Sequence, residues 1–390
     1  MATFLPWEII VDILCRLPVK DLLRYRSVSK SWCSLIDGHD FIKLHLNHSL
    51  KTNSDVGVVF GGRNDLCWLD LDDLNSAERL PHPIDIGTGI DVVGGCNGLL
   101  ALMNSNGDMA VWNPSTRRYI SLPISDHFAS FPFHVFQVLI TGFGHDPITD
   151  DHKVLLMINF SGIIVDSFHC EAKVYSLKAK TWKRLDHFPN HIVYHRENGV
   201  LFANALHWLV NLKSQPSSSI FVFDLVTEDY REVALPDYKG AKTCWVKLVN
   251  IGGSFCVAVL PNQDSEIKNS DRVEVLVMKE YGVKESWTKL FSVVSSKVTG
   301  PFSYMIPVAY LKGGDQVLLD QDGEKLRLFD MKRRRVKNTT VGSGFPIICD
   351  TLVSVRSLVG VDGDADGGSA WKKAGKNNNV KEKKQSVKKR

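Results

Sequence analysis

Residues 4–18 read Phe4-Leu-Pro-Trp-Glu-Ile-Ile-Val-Asp-Ile-Leu-Cys-Arg-Leu-Pro18, and this stretch decides how the amino-terminal part of the chain folds. Pro6 suits the first turn of a helix, where its missing N–H removes no hydrogen bond. Glu8 places a negative charge at the positive end of the helix dipole. An apolar stripe with i, i+4 and i+8 spacing runs through Ile9, Ile10, Ile13, Leu14 and Leu17. Pro18 is predicted to end the helix, because the residue before a proline avoids the α region.

Further short helices are predicted up to about residue 46. A second apolar pattern runs through Leu22, Leu23, Tyr25 and Val28. Ser29 or Ser31 can cap a third helix that Gly38 closes, and Asp40 can cap one more turn. A bundle of about forty residues is too small to be comfortably stable on its own, and it carries more large apolar residues than it can bury. We therefore interpret residues 1–46 as an interaction module, part of whose apolar face is covered by a partner.

A dense set of positions between Leu5 and Phe41 carries a family resemblance. These positions are Leu5-Pro6, Glu8-Ile9-Ile10, Ile13-Leu14, Arg16-Leu17-Pro18-Val19-Lys20, Leu22-Leu23, Arg26, Val28-Ser29-Lys30-Ser31-Trp32 and Leu35-Ile36. The set resembles the F-box in its plant form. This resemblance implies docking onto a Skp-family adaptor and, through it, onto a cullin–RING ubiquitin ligase.

The adaptor-binding face implied by this resemblance is drawn from the apolar residues of the module. We predict Leu5, Pro6, Ile9, Ile13, Leu14, Leu17, Pro18, Leu22, Val28 and Trp32. Some of these ten residues must instead form the module's own small core. The sequence does not separate the two groups.

The composition is that of an ordinary soluble protein without a targeting segment. Apolar residues make up 44% and charged residues 23% of the 390-residue chain, which is long enough for two domains or one large one. The amino terminus lacks a charged region followed by an uninterrupted apolar stretch, so we expect no signal peptide. No run approaches the roughly eighteen apolar residues that a membrane span needs. Eight scattered cysteines, none in a Cys-x-x-Cys pair, indicate buried thiols in a reducing compartment.

Positive charge is concentrated at the carboxyl end. From Trp371 to Arg390 nine basic residues and one acid give +8, and since the whole chain carries +4, residues 1–370 carry −4. A mildly acidic folded part argues against nucleic-acid binding. Residues 363–390 have almost no apolar side chains, so we expect a disordered tail. Two basic clusters in this tail are typical either of a bipartite nuclear import signal or of a solvated tail that aids solubility. The residues of these clusters are Lys372, Lys373, Lys383, Lys384, Lys388, Lys389 and Arg390.

From about residue 55 the chain changes to short alternating runs broken by Gly, Pro, Asn and Asp, which are typical of β-strands. One repeat recurs, in which an apolar run ends at a polar residue and an aromatic follows six residues later. Clear copies are Val111–Leu122, Val174–Leu185 and Val222–Val233, and looser copies are Trp68–Pro81, Leu276–Leu290 and Leu328–Val336. The pattern predicts a β-hairpin, with the polar side chain bonding the turn backbone and the ring packing across the strand pair. We interpret Trp112, Trp182, Tyr230 and Trp287 as core residues of these sheets.

The spacing of this repeat indicates a β-propeller. Its polar position recurs at residues 70, 113, 176, 224, 278 and 330, with Met in that position at 278. Steps near fifty residues suit one four-stranded sheet per repeat, as in propeller blades of the kelch kind. Four motifs carry a second likeness: Gly98-Leu99-Leu100, Asn113-Pro114-Ser115-Thr116-Arg117, Gly142-Phe143-Gly144-His145-Asp146 and Ser286-Trp287-Thr288-Lys289. They are similar to motifs of the F-box-associated domain that follows the F-box in many plant proteins.

The resemblance as a whole implies an α+β, mostly β fold. It consists of a helical F-box over residues 1–46, a kelch-like β-propeller over residues 55–360 and a disordered basic tail over residues 363–390. Within this class, the chain is most similar to F-box/kelch proteins that restrain plant immune responses.

The sequence shows no motif for chemistry of its own. No metal-ligand spacing of the usual kind is present; Cys33, His39, His45 and His48 are merely close in sequence, and we expect no zinc there. There is no Gly-x-Ser-x-Gly elbow, no P-loop and no Gly-x-Gly-x-x-Gly after a strand. We therefore predict no catalytic residue, no metal and no cofactor.

Two functions from different classes remain open. In the favoured one, the chain is the substrate-recognition subunit of a Skp–cullin–F-box ubiquitin ligase, located in the nucleus and cytoplasm. Its propeller then holds a protein destined for ubiquitination and proteasomal degradation, in the control of plant defence. In the alternative, the propeller binds a carbohydrate or small molecule, or is an enzyme, and the helices are an incidental cap. Propellers host all of these functions, but an enzyme needs no adaptor-docking module.

The substrate-binding surface is expected in loops at one end of the propeller, where recognition usually lies. The candidates are His127–Phe136, Phe302–Tyr310 and Glu280–Lys284. Each of these stretches is equally consistent with strand core. The sequence does not identify the substrate.

Overall fold

The computed structural model describes most of the chain. The described residues are 5–61, 65–75, 77–84, 89–123, 136–161, 168–186, 192–194, 198–212, 218–237, 244–261, 272–338 and 352–361. The helices α1 to α4 span Trp7–Cys15, Val19–Tyr25, Lys30–Ile36 and His39–Thr52. The chain then forms β-strands, with one short 3-10 helix at Lys284–Ser286. The predicted order, a helical module followed by a mostly β domain, is confirmed.

The first two helices differ from the prediction at their ends. Pro6 is the N-cap residue of α1 and does not lie inside the first turn. The helix stops at Cys15, because the N–H groups of Arg16 and Leu17 turn back to carbonyls three residues earlier and tighten the last turn. Pro18 does not end α1 but serves as the N-cap residue of α2.

The third and fourth helices follow the predicted capping in part. Ser29 caps α3, where its Oγ accepts a hydrogen bond from the N–H of Trp32 at 3.1 Å. Gly38 is the N-cap residue of α4, so Asp40 lies within the first turn of that helix and is not its cap. Helix α4 also continues past residue 46 to Thr52.

The strands form six antiparallel sheets within the described residues, one per propeller blade. Blade 1 contains β25 (Leu352–Val355), β1 (Val56–Gly61), β2 (Leu66–Asp70) and β3 (Ala77–Leu80). Blade 2 contains β4 (Ile90–Cys96), β5 (Leu99–Asn104), β6 (Met109–Trp112) and β7 (Tyr119–Leu122). Blade 3 contains β8 (Phe136–Asp146), β9 (Asp151–Ser161), β10 (Phe168–Ser176) and β11 (Thr181–Leu185).

The remaining three blades follow in chain order. Blade 4 contains β12 (Ile192–Tyr194), β13 (Val200–Phe202), β14 (Ala205–Leu212), β15 (Ser218–Asp224) and β16 (Tyr230–Val233). Blade 5 contains β17 (Cys244–Ile251), β18 (Ser254–Pro261), β19 (Arg272–Met278) and β20 (Trp287–Val294). Blade 6 contains β21 (Met305–Tyr310), β22 (Gln316–Gln321), β23 (Lys325–Asp330) and β24 (Arg335–Asn338). The predicted β-propeller is confirmed.

Each blade buries both of its faces against its neighbours. Side chains alternate between the two faces of a strand, and in β5 the residues Leu99 and Ala101 pack toward blade 3 while Leu100 and Leu102 pack toward blade 1. Six apolar clusters of this kind lie between successive blades and complete the ring. Strands buried on both faces are continuously apolar, which explains the uninterrupted run Leu99–Leu102.

The predicted sequence repeat is the hairpin of the third and fourth strands in a blade. The residue before the polar position pairs directly with the residue predicted to open the return strand. In four blades these pairs are Trp112 with Tyr119, Tyr175 with Trp182, Phe223 with Tyr230 and Phe329 with Val336. In blade 5, where the turn is three residues longer, the residue at the repeat position itself, Met278, pairs with Trp287. The hairpin prediction is therefore confirmed at the level of register.

The polar residue of the repeat bonds the turn backbone as predicted. In blade 2, Asn113 Oδ1 accepts the N–H groups of Ser115 (2.8 Å) and Thr116 (3.2 Å). In blade 4, Asp224 Oδ1 accepts in the same way from residues 226 and 227. Four residues after the polar position, Arg117 and Glu228 adopt the left-handed conformation that reverses the chain.

The aromatics of the repeat are not all core residues, which corrects one prediction. Trp112 is buried, but Tyr230 is 37% exposed, and Trp182 and Trp287 are half-buried on the outermost strands. The indole N–H of Trp287 donates to the carbonyl of Ala234, just beyond the outer strand of the preceding blade, at 3.2 Å. The half-buried rings therefore join neighbouring blades at the rim of the ring.

A buried ionic cluster joins blades 3 and 4. Lys153 Nζ lies 3.1 Å from Asp146 Oδ2 and 3.0 Å from Glu228 Oε1, and it donates to the carbonyl of Leu225 at 2.7 Å. Burial would raise the pKa of Asp146, but hydrogen bonds from Thr149, Lys153 and the turn backbone outweigh it and lower the pKa to about 2. The ionised carboxylate is thus the stable form in the folded ring.

Replacing Asp146 tests this cluster. A carboxyl whose pKa is lowered on folding stabilises the fold above its ordinary pKa of 3.8, and the contribution is lost as the pH falls toward 2. We expect Asp146→Asn to lower the free energy of unfolding at pH 7 by about 1–3 kcal/mol. The difference in the free energy of unfolding between variant and wild type should disappear as the pH falls below about 4. Urea unfolding at several pH values measures it, and a gap that does not change with pH would contradict the assignment.

The matched control is Asp315→Asn. Asp315 pairs with Lys332 at 2.6 Å, but both side chains are more than half exposed. Exposed pairs contribute little, so this variant should unfold like wild type at every pH.

Candidate adaptor-binding surface

The amino-terminal helices enclose a small core of their own. Its buried residues are Leu14, Cys15, Val19, Leu22, Ile36 and Phe41, together with Leu358 from the far end of the chain. His45 joins α4 to the segment between α1 and α2, because its Nε2 lies 2.9 Å from the carbonyl of Leu17. Burial lowers the pKa of His45, so the neutral ring donates this bond at pH 7.

The module also exposes large apolar side chains. Leu5 is 60% exposed, Ile9 and Ile13 are each 46% exposed, and Val28 is 59% exposed. Ile9 and Ile13 lie one turn apart on α1 and therefore share a face. Large exposed apolar residues concentrated on so small a unit mark an interaction surface. We call Leu5, Trp7, Ile9, Ile13 and Val28 the apolar surface of the module.

The structure separates the ten predicted contact residues. Leu14 and Leu22 are buried in the module core, with 1% and 0% exposure, and are not available to a partner. Leu17 and Trp32 are half-buried against that core. The six exposed residues are Leu5, Pro6, Ile9, Ile13, Pro18 and Val28.

The apolar stripe predicted on α1 is in fact two stripes. Ile10, Leu14 and Leu17 face the core, whereas Ile9 and Ile13 face outward. Successive residues of a helix are about 100° apart, so a stripe two residues wide covers both an inner and an outer face. The spacing predicts that both faces are apolar but not which one packs internally.

The sequence reasoning missed four exposed apolar residues of the module: Trp7, Tyr25, Leu44 and Leu50. Trp7 lies beside α3 and, with Leu35 and Ser34, lines a shallow recess. The ring of Tyr25 packs edge-on against Trp32, with centroids 6.0 Å apart. Trp7 lies within residues 4–18, only two positions before Ile9. This position next to a predicted contact residue could have identified it from the sequence.

Charged side chains surround this apolar surface in pairs that stay within the module. Arg16 bonds Asp12 at 3.0 Å, and Arg26 bonds Asp37 at 2.7 Å. The Arg16–Asp12 pair is largely exposed and contributes little to stability, whereas the Arg26–Asp37 pair is partly buried. They leave the apolar residues as the part of this surface with the most to gain from burial.

Three of the four histidine and cysteine residues considered for zinc, His45, Cys33 and His39, make separate contacts. His45 bonds Leu17, Cys33 Sγ lies 3.5 Å from Asp37 Oδ2, and His39 lies 3.5 Å from Asp150. Within the described ranges, no three His, Cys, Asp or Glu side chains converge as metal ligands would.

Burial also determines the state of the thiols. It raises the pKa of Cys15 and Cys67, and it raises the pKa of Cys96 and Cys256 to about 12. These four thiols are therefore protonated at neutral pH and are poor nucleophiles.

Two of the three predicted substrate-binding stretches contribute buried residues to the propeller, and most of the third lies outside the described residues. Phe302–Tyr310 is mainly β21 and its approach, with Phe302 and Met305 buried between blades 5 and 6. In Glu280–Lys284, Tyr281 packs into the cluster between blades 4 and 5 and bonds His207 at 2.5 Å. His127–Phe136 lies outside the described residues except for Phe136, where β8 begins.

Two further predictions concern the tail and membrane spans. The nuclear-import residues Lys372 to Arg390 lie outside the described residues. In the part of the chain that the structure covers, no helix combines the length and apolar character needed to cross a membrane.

Fold and surface together define a class of protein: a small helical module with an exposed apolar face, followed by a six-bladed β-propeller. Residues 4–44 match the family model described as the F-box domain. Residues 73–351 match the model described as the F-box associated beta propeller domain. The chain therefore belongs to the F-box proteins that carry an F-box-associated β-propeller.

Known relatives support this membership. The chain is 34% identical over 383 residues to the F-box protein CPR1 of Arabidopsis thaliana. This match covers 93% of this chain and 91% of that protein. It is 28% identical over 305 residues to the F-box/kelch-repeat protein At3g23880 of the same plant, with 74% and 79% covered. A solved oligogalacturonate lyase in complex with manganese is similar with a TM-score of 0.38 and 11% identity, covering 73% of this chain and 78% of that chain. Similarity that low carries no argument about function.

The division between core and surface predicts opposite effects for two neighbours on α1. Leu14→Ala should destabilise the module by about 2–5 kcal/mol, because it leaves a cavity in the core. Ile13→Ala should change its stability by less than about 0.5 kcal/mol, because Ile13 faces solvent. Hydrogen exchange of the α1 and α2 amides in the full chain measures both. Equal protection losses in the two variants would contradict the assignment of faces.

Proposed function

We propose that this chain is the substrate-recognition subunit of a Skp–cullin–F-box ubiquitin ligase. The apolar surface of the module binds the Skp-family adaptor, which connects the chain to the cullin–RING core. The propeller binds a target protein and directs it to ubiquitination and proteasomal degradation. The observation that supports this most directly is the group of exposed apolar residues Leu5, Ile9, Ile13 and Val28 on an F-box module.

Leaving the apolar surface of the module exposed to water has an energetic cost. Burying a large aliphatic side chain is favourable by about 1.5–3 kcal/mol, and the module exposes several of them. The module core is formed by other residues, among them Leu14, Leu22 and Ile36. The exposed residues are not part of this core. A partner that covers them gains this burial, which is why we assign the adaptor to this side.

In this proposal the chain positions the substrate, and its partners carry out the covalent chemistry. Binding a target beside the ubiquitin-carrying enzyme raises the effective concentration of a substrate lysine, which accelerates transfer without a catalytic group on the receptor. The protonated thiols of Cys15, Cys67, Cys96 and Cys256 are consistent with this role.

We assign the target to the face of the ring away from the helices. Strands within a blade alternate in direction, so the first and third turns of a blade lie at the same face. In blade 3, the N–H of Lys178 in the third turn donates to Asp151 at the first turn, and the adjacent Asp150 contacts α4. These turns therefore form the helix-side face. The opposite face, which we call the far face, is the one that we assign to the target.

Adaptor binding is the direct test of this function. We expect the full chain to bind a Skp-family adaptor one to one. Ile9→Ala combined with Ile13→Ala should weaken binding at least tenfold, or about 1.4 kcal/mol, because both side chains lie on the apolar surface. Leu5→Ala combined with Pro6→Ala should also abolish stable binding. Isothermal titration with purified proteins measures the affinity.

The matched control for adaptor binding is Val294→Ala. Val294 is an equally exposed aliphatic residue, at 55%, but it lies on β20 of the propeller. It should bind the adaptor like wild type. Unchanged binding by both double variants, with the module still folded, would rule out the proposed surface.

We also propose a location in the nucleus and cytoplasm and a role in plant defence. The support for the location is the pair of basic clusters in the tail. The support for the role is the resemblance to F-box/kelch proteins that restrain immune responses.

The tail provides a test of location. Replacing Lys383, Lys384, Lys388 and Lys389 by Gln in a fluorescent fusion of the full chain should lower the nuclear-to-cytoplasmic ratio, because import signals are recognised through their positive charge. The control replaces four exposed propeller lysines, Lys178, Lys279, Lys297 and Lys325. Imaging of living plant cells measures the ratio. An equal ratio in all three proteins would show that the tail is only a solvated extension.

A further inference from the structure

The segment that follows the last strand joins the helical module to the propeller. We call residues 356–361 the closing segment. Leu358 is 7% exposed and belongs to the core of the helical module. Val359 and Val361 instead pack in the cluster between blades 2 and 3. One short stretch of chain is therefore part of two different cores.

Hydrogen bonds hold the closing segment to blade 2. The side-chain amide of Asn113 donates to the carbonyls of Ser357 at 3.1 Å and Val359 at 2.8 Å. Ser357 Oγ donates to the carbonyl of Asn97 at 2.7 Å. Gly98 has a φ of +79°, and a Cβ there would lie 2.3 Å from Ser357 Oγ, so the approach requires glycine.

Asp55 connects the same segment to α2. Its Oδ2 accepts the N–H of Val19 at 2.9 Å, in the first turn of α2, where Pro18 offers no side-chain cap. Its own carbonyl accepts the N–H of Arg356 at 2.9 Å. The guanidinium of Arg356 then lies over the ring of Trp68, 4.6 Å from its centroid, and bonds Glu78 at 2.8 Å.

A separate contact connects α4 to blade 3. Asp150 Oδ2 lies 2.6 Å from Lys43 Nζ and 3.5 Å from His39 Nε2, both on α4. Its other oxygen lies 3.0 Å from His145 Nε2 on β8. The hydrogen bond from Lys43 is the largest of the influences that lower the pKa of Asp150 to about 2, so the carboxylate is ionised at neutral pH.

These contacts constrain the module more than its covalent connection does. Residues 53–55 link α4 to β1, and this short link alone would allow the helical module to rotate relative to the propeller. Asp55 adds a contact at α2, Asp150 adds one at α4, and Leu358 adds one in the module core. Three contacts on separate elements remove the freedom that one link leaves.

We infer that Leu358, Asp55 and Asp150 are positioning residues that fix the orientation of the adaptor-binding helices on the propeller. This inference rests on the proposed function. A ligase holds its receptor through the helices, so a fixed orientation places the far face of the propeller at one distance and angle from the ubiquitin-carrying enzyme. The residues that set this orientation therefore restrict which lysines can receive ubiquitin.

The test measures orientation in the full chain. Two dyes, at Asn47 on α4 and at Lys297 beyond β20, report the distance between module and propeller by single-molecule energy transfer. We expect one narrow distance distribution in wild type. We expect a broadened distribution in Asp150→Asn and a broader one in Asp150→Asn with Leu358→Ala. The single variant leaves the module core intact, so it remains informative if Leu358→Ala unfolds the helices.

The matched control carries Asp315→Asn with Leu318→Ala. Asp315 pairs with Lys332 at 2.6 Å, and Leu318 is fully buried between blades 6 and 1, so the control loses a comparable pair and a comparable core contact. A role in stability alone predicts that control and test variants behave alike. Broadening only in the test variants supports the inference. A wild-type distribution in folded test variants overturns it.

A second readout follows ubiquitin transfer in a ligase reconstituted with the adaptor. Mass spectrometry identifies which propeller lysines of the chain itself become modified. We expect the Asp150→Asn, Leu358→Ala variant to spread modification over more lysines than wild type, and an unchanged pattern counts against the inference. If the adaptor does not bind at all, the proposed function fails, whereas the distance measurement, which needs no adaptor, still decides the inference about orientation.

Discussion

Pairing between β25 and β1 is the interaction on which the rest of the structure depends. A propeller blade is apolar on both faces, so every blade needs a neighbour on each side. The pairing of Val353 with Val58 places the end of the chain in the same sheet as its beginning, and blade 1 then packs against both blade 2 and blade 6. Without β25, blade 1 would lack its inner strand. The same strand leads directly into the closing segment. One stretch of chain therefore both closes the ring and contacts the helical module.

Local sequence predicted the parts of this architecture whose partners are close along the chain. The polar residue and the aromatic of each repeat are six residues apart, and the hairpin register between Trp112 and Tyr119 follows from that spacing. Ser29 capping α3 is local in the same sense. Ring closure was not predictable in this way, because β25 pairs with a strand nearly three hundred residues earlier and carries no copy of the repeat. The number of blades depends on that closure and had to come from the structure.

The candidate site shows the same limit at the scale of single residues. Periodicity identified α1 as apolar but assigned Ile9, Ile13 and Leu14 to one stripe, although Leu14 faces the core and the two isoleucines face solvent. What decides between these faces is the rest of the core, and part of that core is Leu358, at the other end of the chain. No pattern within the first fifty residues contains that information. Six exposed residues of the module, Leu5, Pro6, Ile9, Ile13, Pro18 and Val28, were named from the sequence because they match the family motif, whereas Trp7, Tyr25, Leu44 and Leu50 were not.

The small size of the module connects these observations. A unit of about forty residues cannot bury enough surface to be comfortably stable alone, so it needs contacts beyond its own helices. The propeller supplies them on one side, through Leu358 in the core and through the carboxylates of Asp55 and Asp150 at α2 and α4. Because the propeller already stabilises the module, Ile9 and Ile13 can stay exposed without unfolding it. The apolar surface is therefore available to a partner for the same physical reason that the helices are firmly seated: the propeller stabilises a module that is too small to stabilise itself.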